Sequence, residues 1–185
     1  METTSPTAST DALVLTVMVD AHEKSKDIGT ADIAGAYLKA KMDDFVLLRS
    51  TGESVDIICN MHPEYKKFVI MAENCTVLYI RLGKAMYRCV KSALLWYNLF
   101  STTLNEMGFV LNPNNPGVAN KTIDGNQCTI VWYVEDTKIS HVLDPAVVTS
   151  IIETLEQRFD KMTVTRGREH TCLGMKIGYT DQGTA

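Results

Sequence analysis

The stretch that decides the fold is Cys128-Thr-Ile-Val-Trp-Tyr-Val-Glu-Asp-Thr-Lys-Ile-Ser-His141. Two segments rich in β-branched and aromatic residues, 128–134 and 137–142, flank the adjacent acids Glu135 and Asp136. Such residues favour strands, and acids between two strands are typical of a turn. The pattern therefore predicts a β-hairpin with two carboxylates at its tip. An ordinary solvated turn is the alternative, unless another acid meets this pair.

A further acid is available at Asp32, within Gly29-Thr-Ala-Asp-Ile-Ala-Gly-Ala-Tyr-Leu38. Residues 30–33 predict a short strand that leads into small residues and an aromatic. Three carboxylates that converge from strand ends would offer the hard oxygen ligands that Mg²⁺ prefers. Two such ions, about 3.5–4 Å apart, can activate an attacking oxygen and stabilise a leaving pyrophosphate. These acids therefore indicate phosphoryl transfer, which depends mainly on position and charge.

Three segments follow one another in a recognisable order: Asp32-Ile-Ala-Gly-Ala-Tyr37, Lys84-Ala-Met-Tyr-Arg-Cys-Val-Lys-Ser-Ala-Leu-Leu-Trp-Tyr97 and Tyr133-Val-Glu-Asp136. Together they resemble the reverse transcriptase of copia-type retrotransposons. That family has an Asp followed by Ala-Phe/Tyr-Leu, then Lys-Ala-Leu-Tyr-Gly with a later Trp-Tyr, then Tyr-Val-Asp-Asp. The segment Thr171-Cys-Leu-Gly-Met-Lys-Ile177 is similar to the family's Phe-Leu-Gly-Ile, whose counterpart in other reverse transcriptases grips the primer. The resemblance covers about residues 11–180.

The resemblance implies an RNA-directed DNA polymerase, a nucleotidyltransferase that works with two Mg²⁺ or Mn²⁺ ions. It implies an α+β polymerase palm with part of the fingers, in which helices pack on one face of a mostly antiparallel sheet. The implied partners are an RNA template, a DNA primer, deoxynucleoside triphosphates and the rest of a polyprotein with integrase and ribonuclease H. The implied location is the cytoplasm, within a virus-like particle if the element is functional.

The resemblance also assigns roles to individual residues. Asp32, Glu135 and Asp136 would be the catalytic metal ligands. Contacts to the nucleotide and template would come from Ile33, Ala34, Gly35, Tyr37, Tyr87, Arg88 and Lys91, with the Ile33 carbonyl as a further metal ligand. Contacts on the primer side would come from Tyr133, Val134, Leu173 and Gly174. Tyr37 would underlie the nucleotide sugar and exclude a ribose hydroxyl, or would simply pack beneath the strand.

The chain departs from the family pattern at Glu135, where the family has Asp, at Arg88, where it has Gly, and at Ala93, where it has Pro. Glutamate moves the carboxylate outward by about 1.5 Å. Magnesium requires near-octahedral geometry at roughly 2.0–2.1 Å, and a misplacement of about 1 Å can cost around 100-fold in rate. We therefore expect a weakened or inactive polymerase. The alternatives are a catalytically dead palm relic, an α+β module that binds a protein or cation, and another two-metal enzyme such as a cyclase.

Composition fits a globular protein. The chain has 185 residues, of which 45% are hydrophobic and 22% charged, enough for one well-packed domain. Its net charge of −4 counts against a nucleic-acid binder, although Lys84, Arg88 and Lys91 could form a local basic groove or merely a solvated helix start. Five scattered cysteines without zinc-site spacing indicate free thiols in a reducing compartment. The longest apolar run is too short to span a bilayer, so we expect a soluble intracellular protein with no membrane partner.

Periodicity and turn residues predict the elements. We expect disorder over 1–10 and one partial palm and fingers domain over 11–185, which lacks the upstream fingers segment, the thumb and ribonuclease H. Helices are predicted over 11–24, 55–65 and 92–107, with Ser92 and Gly108 at the caps of the last, and another from the Asp144-Pro145 cap onward. Strands are predicted over 45–49, 67–71, 76–82 and 171–179. Residues 112–117 are expected to form a loop, and Asp124-Gly125 a turn.

Overall fold

The computed structural model describes residues 5–23, 26–142, 144–180 and 183–184. Within them the helices are α1 (Thr10–His22), α2 (Ala36–Lys39), α3 (Glu53–Met61), a 3₁₀ helix (Pro63–Phe68), α4 (Ser92–Glu106) and α5 (Pro145–Phe159). The strands are β1 (Lys26–Asp32), β2 (Leu47–Thr51), β3 (Ile70–Ala72), β4 (Cys75–Arg81), β5 (Val110–Asn112), β6 (Asn115–Ile123), β7 (Asn126–Tyr133), β8 (Asp136–Val142), β9 (Thr163–Arg166), β10 (Glu169–Cys172), β11 (Met175–Thr180) and β12 (Gly183–Thr184).

The largest sheet has six strands in the order β5-β6-β7-β8-β1-β9, and its neighbouring strands are antiparallel. The hairpin predicted around the two acids is confirmed, since β7 ends at Tyr133 and β8 begins at Asp136. Strand β1 pairs with β8 from Lys26↔Val142 to Asp32↔Asp136, which places a segment from early in the chain between β8 and β9 in the interior of the sheet. The expected α+β class with mostly antiparallel sheets is confirmed at this level.

One face of this sheet is covered by α4 and α5. The apolar stripe predicted for α4 is buried, with Trp96 2% exposed and Phe100 and Leu104 fully buried. These side chains pack in one core with Ile130 and Trp132 of β7, and α5 contributes its own apolar residues. The apolar residues of both helices recur at helical spacing, so each presents a continuous stripe to the sheet.

The opposite face is covered by α1 and the β10–β11 hairpin, so the prediction that helices pack on one face is wrong. Leu13 of α1 is fully buried in a second core with Val118, Val131 and Cys172. Successive strand residues point to opposite faces, so the run Ile130-Val-Trp132 supplies apolar side chains to both cores. A sheet that is apolar on both faces needs cover on both.

The amino-terminal segment also packs on this second face, in contrast to the expected disorder over 1–10. Ala8 is 4% exposed, and its N–H donates a 3.4 Å hydrogen bond to the Trp132 carbonyl. The Ser9 hydroxyl accepts the Ala12 N–H at 3.1 Å and caps α1. Residues 1–4 lie outside the described residues. The close approach of Ala8 to Gly117 leaves no room for a side chain at that glycine.

A smaller antiparallel sheet, in the order β2-β4-β3, packs against α3 through Val55, Cys59 and Leu78. The predicted hairpin around Glu73-Asn74 is confirmed, with both turn residues at positive φ. Pro63 ends the predicted helix as expected, because α3 stops at Met61 and the 3₁₀ helix follows. None of the described helices combines the length and apolar character needed to cross a membrane.

Strand pairing changes two of the predicted segments, and one predicted helix cap has another role. The predicted loop over 112–117 is partly strand, since β6 begins at Asn115. The predicted single strand over 171–179 is the β10–β11 hairpin, with a turn at Leu173-Gly174, and the charged segment before it contains β9. Ser92 is the first residue of α4 and holds the Met86 backbone, accepting its N–H at 2.9 Å and donating to its carbonyl at 2.6 Å, instead of capping the helix.

Candidate functional site

The two predicted aspartates face each other on adjacent interior strands of the sheet. Asp32 is the last residue of β1 and Asp136 the first of β8, and they are partners in the strand register. The next pair is joined by a 3.1 Å hydrogen bond from the Ile33 N–H to the Glu135 carbonyl. Hydrogen-bonded and non-hydrogen-bonded pairs alternate in an antiparallel ladder, so Asp32 and Asp136 form the closer, non-hydrogen-bonded type, with Cα atoms about 4.5 Å apart. Both side chains therefore leave the same face of the sheet.

This pair concentrates negative charge. Both aspartates are half-buried, and like charges directly opposite one another destabilise a sheet. Neither carboxylate forms an ion pair with any residue in the described part of the chain. The one hydrogen bond found for the Asp136 carboxylate among these residues comes from the Leu173 N–H, which donates to Oδ2 at 3.1 Å. A bound cation would relieve this repulsion.

Glu135, the third predicted acid, is directed toward two tyrosines. The Tyr87 hydroxyl donates a 3.3 Å hydrogen bond to Oε2 of Glu135, and the Tyr87 ring centroid lies 4.6 Å from that of Tyr37. Burial, followed by the negative charge of Glu135, raises the pKa of both tyrosines above the usual value of 10.0. The charge of Asp32 also contributes to the raised pKa of Tyr87. Glu135, Asp32 and the two tyrosines therefore influence one another electrostatically.

The turn that presents these acids has an unusual backbone. Val134 adopts φ 53°, which is a rare conformation for a β-branched residue. The Trp96 indole nitrogen donates a 2.8 Å hydrogen bond to the Val134 carbonyl and so holds the turn in place. We predicted Trp96 only as a core residue. The available signal was chemical, since a buried indole N–H requires an acceptor.

The segment after Asp32 returns the chain to the site. Ile33 is fully buried, Ala34 is exposed, and Gly35 precedes α2 at the N-cap position with φ 65°, where glycine carries no steric cost. This tight reversal places Tyr37 against Tyr87. The predicted primer-side residues lie next to Asp136. Tyr133 is 41% exposed and is the register partner of Asp136 in the β7–β8 hairpin. The turn at Leu173-Gly174 contacts Asp136 through the Leu173 N–H.

Lys91 and Arg88, two of the predicted nucleotide- or template-binding residues, differ in the structure from the basic groove that was expected of them. The Lys91 ammonium lies 3.1 Å from Asp43 and 2.9 Å from Asp44, so two carboxylates offset its charge. Arg88 is exposed and adopts φ 72°, a backbone conformation that favours glycine. Lys84, the third member of the predicted basic groove, lines a cavity that includes neither Arg88 nor Lys91. Lys84 therefore does not share a cavity with Arg88 or Lys91, and the charge of Lys91 is already offset by two aspartates.

Comparison with known proteins adds no further constraint. No family model, no curated protein and no solved structure matches this chain. The function must therefore be inferred from the geometry and chemistry of the site itself.

The oxygen donors of the aspartate pair suit a hard divalent cation. Magnesium is commonly held by one or two carboxylates together with waters and substrate phosphates. Asp32 and Asp136 supply two half-buried carboxylates on one face, which fits that pattern. Among the described residues, no group of three or more His, Cys, Asp or Glu side chains is placed to hold a metal ion. The described residues thus place two facing carboxylates on this face, while the Glu135 carboxylate accepts a hydrogen bond from Tyr87.

A buried charged cluster, which the sequence patterns did not predict, lies beneath the same face of the sheet. Lys138 of β8 is fully buried, and its ammonium forms an ion pair with Asp20 of α1. Lys26 lies 3.0 Å from the same carboxylate, and the Tyr179 hydroxyl donates to it at 3.4 Å. Burial lowers the pKa of Lys138 from its usual value. A lysine within the strand-forming run Thr137-Lys-Ile-Ser-His141 was the available signal.

Proposed function

We propose that this chain is the palm-containing part of an RNA-directed DNA polymerase of the copia-type reverse transcriptase kind. The observation that supports the proposal most directly is the register pairing of Asp32 with Asp136, two motif residues separated by about a hundred positions. Tyr37 and Tyr87, which belong to the same motifs, lie beside this pair. The order of the motifs in the sequence is the second support.

The substrates proposed are a primed RNA template and deoxynucleoside triphosphates. When bound, Mg²⁺ or Mn²⁺ would lower the charge on the attacking primer oxygen and on the leaving pyrophosphate. Asp32 and Asp136 would hold the cation through their facing carboxylates. Leu173, by donating its N–H to Asp136, would fix the orientation of one ligand at 3.1 Å.

The tyrosine pair would bind and orient the nucleotide. Its raised pKa values keep both hydroxyls protonated at neutral pH, so they act as neutral hydrogen-bond donors. Tyr37 offers an aromatic surface to the sugar, in the role that the resemblance implies. In the bond-making step the primer 3′ oxygen attacks the α-phosphorus of the nucleotide, the bond to pyrophosphate breaks, and the hydroxyl proton passes to solvent.

Activity should be limited by Glu135. Its carboxylate is engaged by the Tyr87 hydroxyl and stands at the position where the family has aspartate. We expect Glu135→Asp to raise primer extension, by up to about 100-fold if the longer side chain displaces the carboxylate by about 1 Å. An unchanged rate would reject this geometric argument.

The experiment is primer extension on an RNA template with Mg²⁺ or Mn²⁺, using the whole chain. We expect incorporation that is lost in Asp32→Asn and retained in Asp124→Asn. Asp124 is an exposed turn residue at φ 49°, a conformation that asparagine tolerates, so it is a matched control for removal of one carboxylate. Mn²⁺ binding, measured by electron paramagnetic resonance, gives a second readout that does not need turnover.

The second candidate is a palm-like relic without catalysis. It is favoured by the engagement of Glu135 with Tyr87 and of Lys91 with Asp43 and Asp44. It predicts that neither the natural chain nor Glu135→Asp incorporates nucleotide, although both are folded. Loss of Mn²⁺ binding in Asp32→Asn without any primer extension would favour this candidate, or a cation-binding module, over the polymerase.

A further inference from the structure

A separate cavity of about 470 Å³ lies between α4, the end of α5 and the segment that follows α2. Its lining includes four cationic side chains, Lys39, Lys41, Lys84 and Arg158. The volume falls within the range of roughly 300–1,000 Å³ that is usual for small-molecule sites. Asp32, Glu135 and Asp136 do not line it. The cavity is therefore distinct from the carboxylate site.

The charges around this cavity are unbalanced. The single carboxylate in its lining belongs to Asp160, which accepts a 2.7 Å hydrogen bond from the Lys39 ammonium. This contact, together with the charges of Lys39 and Lys84, lowers the pKa of Asp160. Lys41, Lys84 and Arg158 form no ion pair within the described ranges of the chain. The lining therefore has an excess of three positive charges, in a chain whose net charge is −4.

Two of these lysines are forced together by the backbone. Lys41 and Lys84 form an isolated antiparallel bridge, fixed by hydrogen bonds on either side, from the Ala85 N–H to the Ala40 carbonyl at 2.9 Å and from the Met42 N–H to the Gly83 carbonyl at 3.2 Å. Like charges directly opposite one another are unfavourable. The bridge prevents the two segments from separating, so an anion between the ammonium groups would relieve the repulsion.

The floor of the cavity is apolar. Ala40 and Phe159 are buried at 3% and 2% exposure, and the half-buried Leu95 and Leu99 complete this surface. A cationic rim over an apolar floor suits a ligand that combines anionic groups with an apolar or ring-bearing body. We propose that this cavity binds a small molecule that carries two or more phosphate groups. Bidentate guanidinium contacts from Arg158 and point-charge contacts from the lysines are both suited to phosphate.

The test measures binding of ATP and of inorganic tripolyphosphate by isothermal titration calorimetry, with EDTA present. EDTA removes divalent cations, so binding does not depend on the proposed polymerase site, and failure of one proposal is distinguishable from failure of the other. We expect one bound ligand per chain. The double variant Lys41→Ala/Lys84→Ala should weaken binding by about tenfold or more, because two charge-assisted contacts are removed.

Two further variants separate a specific site from general charge. Lys66→Ala/Lys67→Ala removes two exposed lysines from the 3₁₀ helix and should change affinity by less than about twofold. Asp160→Asn removes the competing carboxylate and should tighten binding by about two- to fivefold. Because the expected change for Asp160→Asn is a gain of affinity, misfolding of the variant could not produce it.

Three results would overturn the proposal. The first is that the natural chain binds neither ATP nor tripolyphosphate. The second is that the two double-lysine variants lose affinity equally, which would indicate non-specific attraction. The third is that a short single-stranded DNA oligonucleotide binds and is displaced by neither small molecule, which would assign the surface to a nucleic-acid backbone.

Discussion

The Trp96 indole nitrogen donates a 2.8 Å hydrogen bond to the carbonyl oxygen of Val134, the first residue of the turn that carries Glu135. Trp96 is 2% exposed and packs against Phe100 and Phe159, so its position is fixed by the core. A residue at φ 53° persists only when its surroundings over-determine it. The helix α4 thus sets the backbone that presents the acidic residues.

Replacing Trp96 with phenylalanine should therefore destabilise the protein beyond the loss of apolar surface. The part-buried Val134 carbonyl would lose its partner, which should cost about 1 kcal/mol, the low end of the range for an unsatisfied acceptor. Trp132→Phe is the matched control, because Trp132 is also 2% exposed and its indole makes no hydrogen bond with other described residues. The free energy of unfolding, measured in urea, should fall by at least about 1 kcal/mol more for Trp96→Phe. Equal losses would mean that the hydrogen bond contributes nothing.

Arg88→Gly should stabilise the protein. Arg88 is exposed and adopts φ 72°, where a Cβ atom costs roughly 1–2 kcal/mol and glycine does not pay that steric cost. Glycine gives back part of this gain through its greater freedom in the unfolded chain, so the net gain should be about 0.5–1 kcal/mol. Arg88→Ala removes the same charge but keeps the Cβ atom and should give no such gain. A stabilised alanine variant would instead point to relief of charge repulsion.

Asp20→Asn should be strongly destabilising. The Asp20 carboxylate compensates the fully buried Lys138 ammonium and also pairs with Lys26 at 3.0 Å. Removing one partner of a buried ion pair costs about 3–5 kcal/mol, because the other charge is left buried. The control is Asp11→Asn, which changes an exposed acid in the first turn of the same helix and should cost less than about 1 kcal/mol. Thermal denaturation of both variants at one pH would distinguish these outcomes.

His170 should make stability depend on pH below its usual pKa of 6.5. Burial lowers its pKa, and the ring is held between the Thr30 hydroxyl at 3.2 Å and the Gly167 carbonyl at 2.8 Å. Below pH 6.5 the unfolded chain binds a proton that the folded chain resists, so stability falls as pH falls through this range. Above that range both states are neutral and the contribution is constant.

His170→Gln should therefore flatten the loss of stability on acidification, measured as the urea midpoint at a series of pH values. His62→Gln is the control, since the His62 side chain is 58% exposed and its 3.4 Å contact with the exposed Glu64 should contribute little to stability. A profile that is equally steep in His170→Gln and in the natural chain would assign the pH dependence to other groups.

Local patterns in the sequence were sufficient for the elements that carry strong periodicity. The acidic hairpin, the apolar stripe of α4 and the Asp144-Pro145 start of α5 all lie where the residues predict them. Each depends on contacts or caps within a few residues, so the information is local. The boundaries at Asn115 and at Leu173-Gly174 were missed, because pairing with neighbouring strands overrides the loop-forming composition.

Some features of the candidate site were also predictable from local sequence, and others depend on contacts between distant segments. The residue types of Asp32, Glu135 and Asp136 could be singled out from sequence, and the pairing of the two aspartates was an expectation that the register confirms. The direction of the Glu135 side chain toward Tyr87, and the two acids that surround Lys91, depend on segments distant in the chain. The family resemblance suggested roles for these residues but could not reveal those contacts.

The sequence by itself determined the acidic hairpin, the strongly periodic helices and the acids that stand at strand ends, because periodicity and turn chemistry act over a few residues. Only the tertiary structure decided that α1 covers the second face of the sheet, that Lys138 is buried against Asp20, and that Lys41 faces Lys84. The physical reason is that burial and charge compensation depend on which distant segments meet. The contacts between distant segments are determined by the packing of other elements on both apolar faces of the sheet.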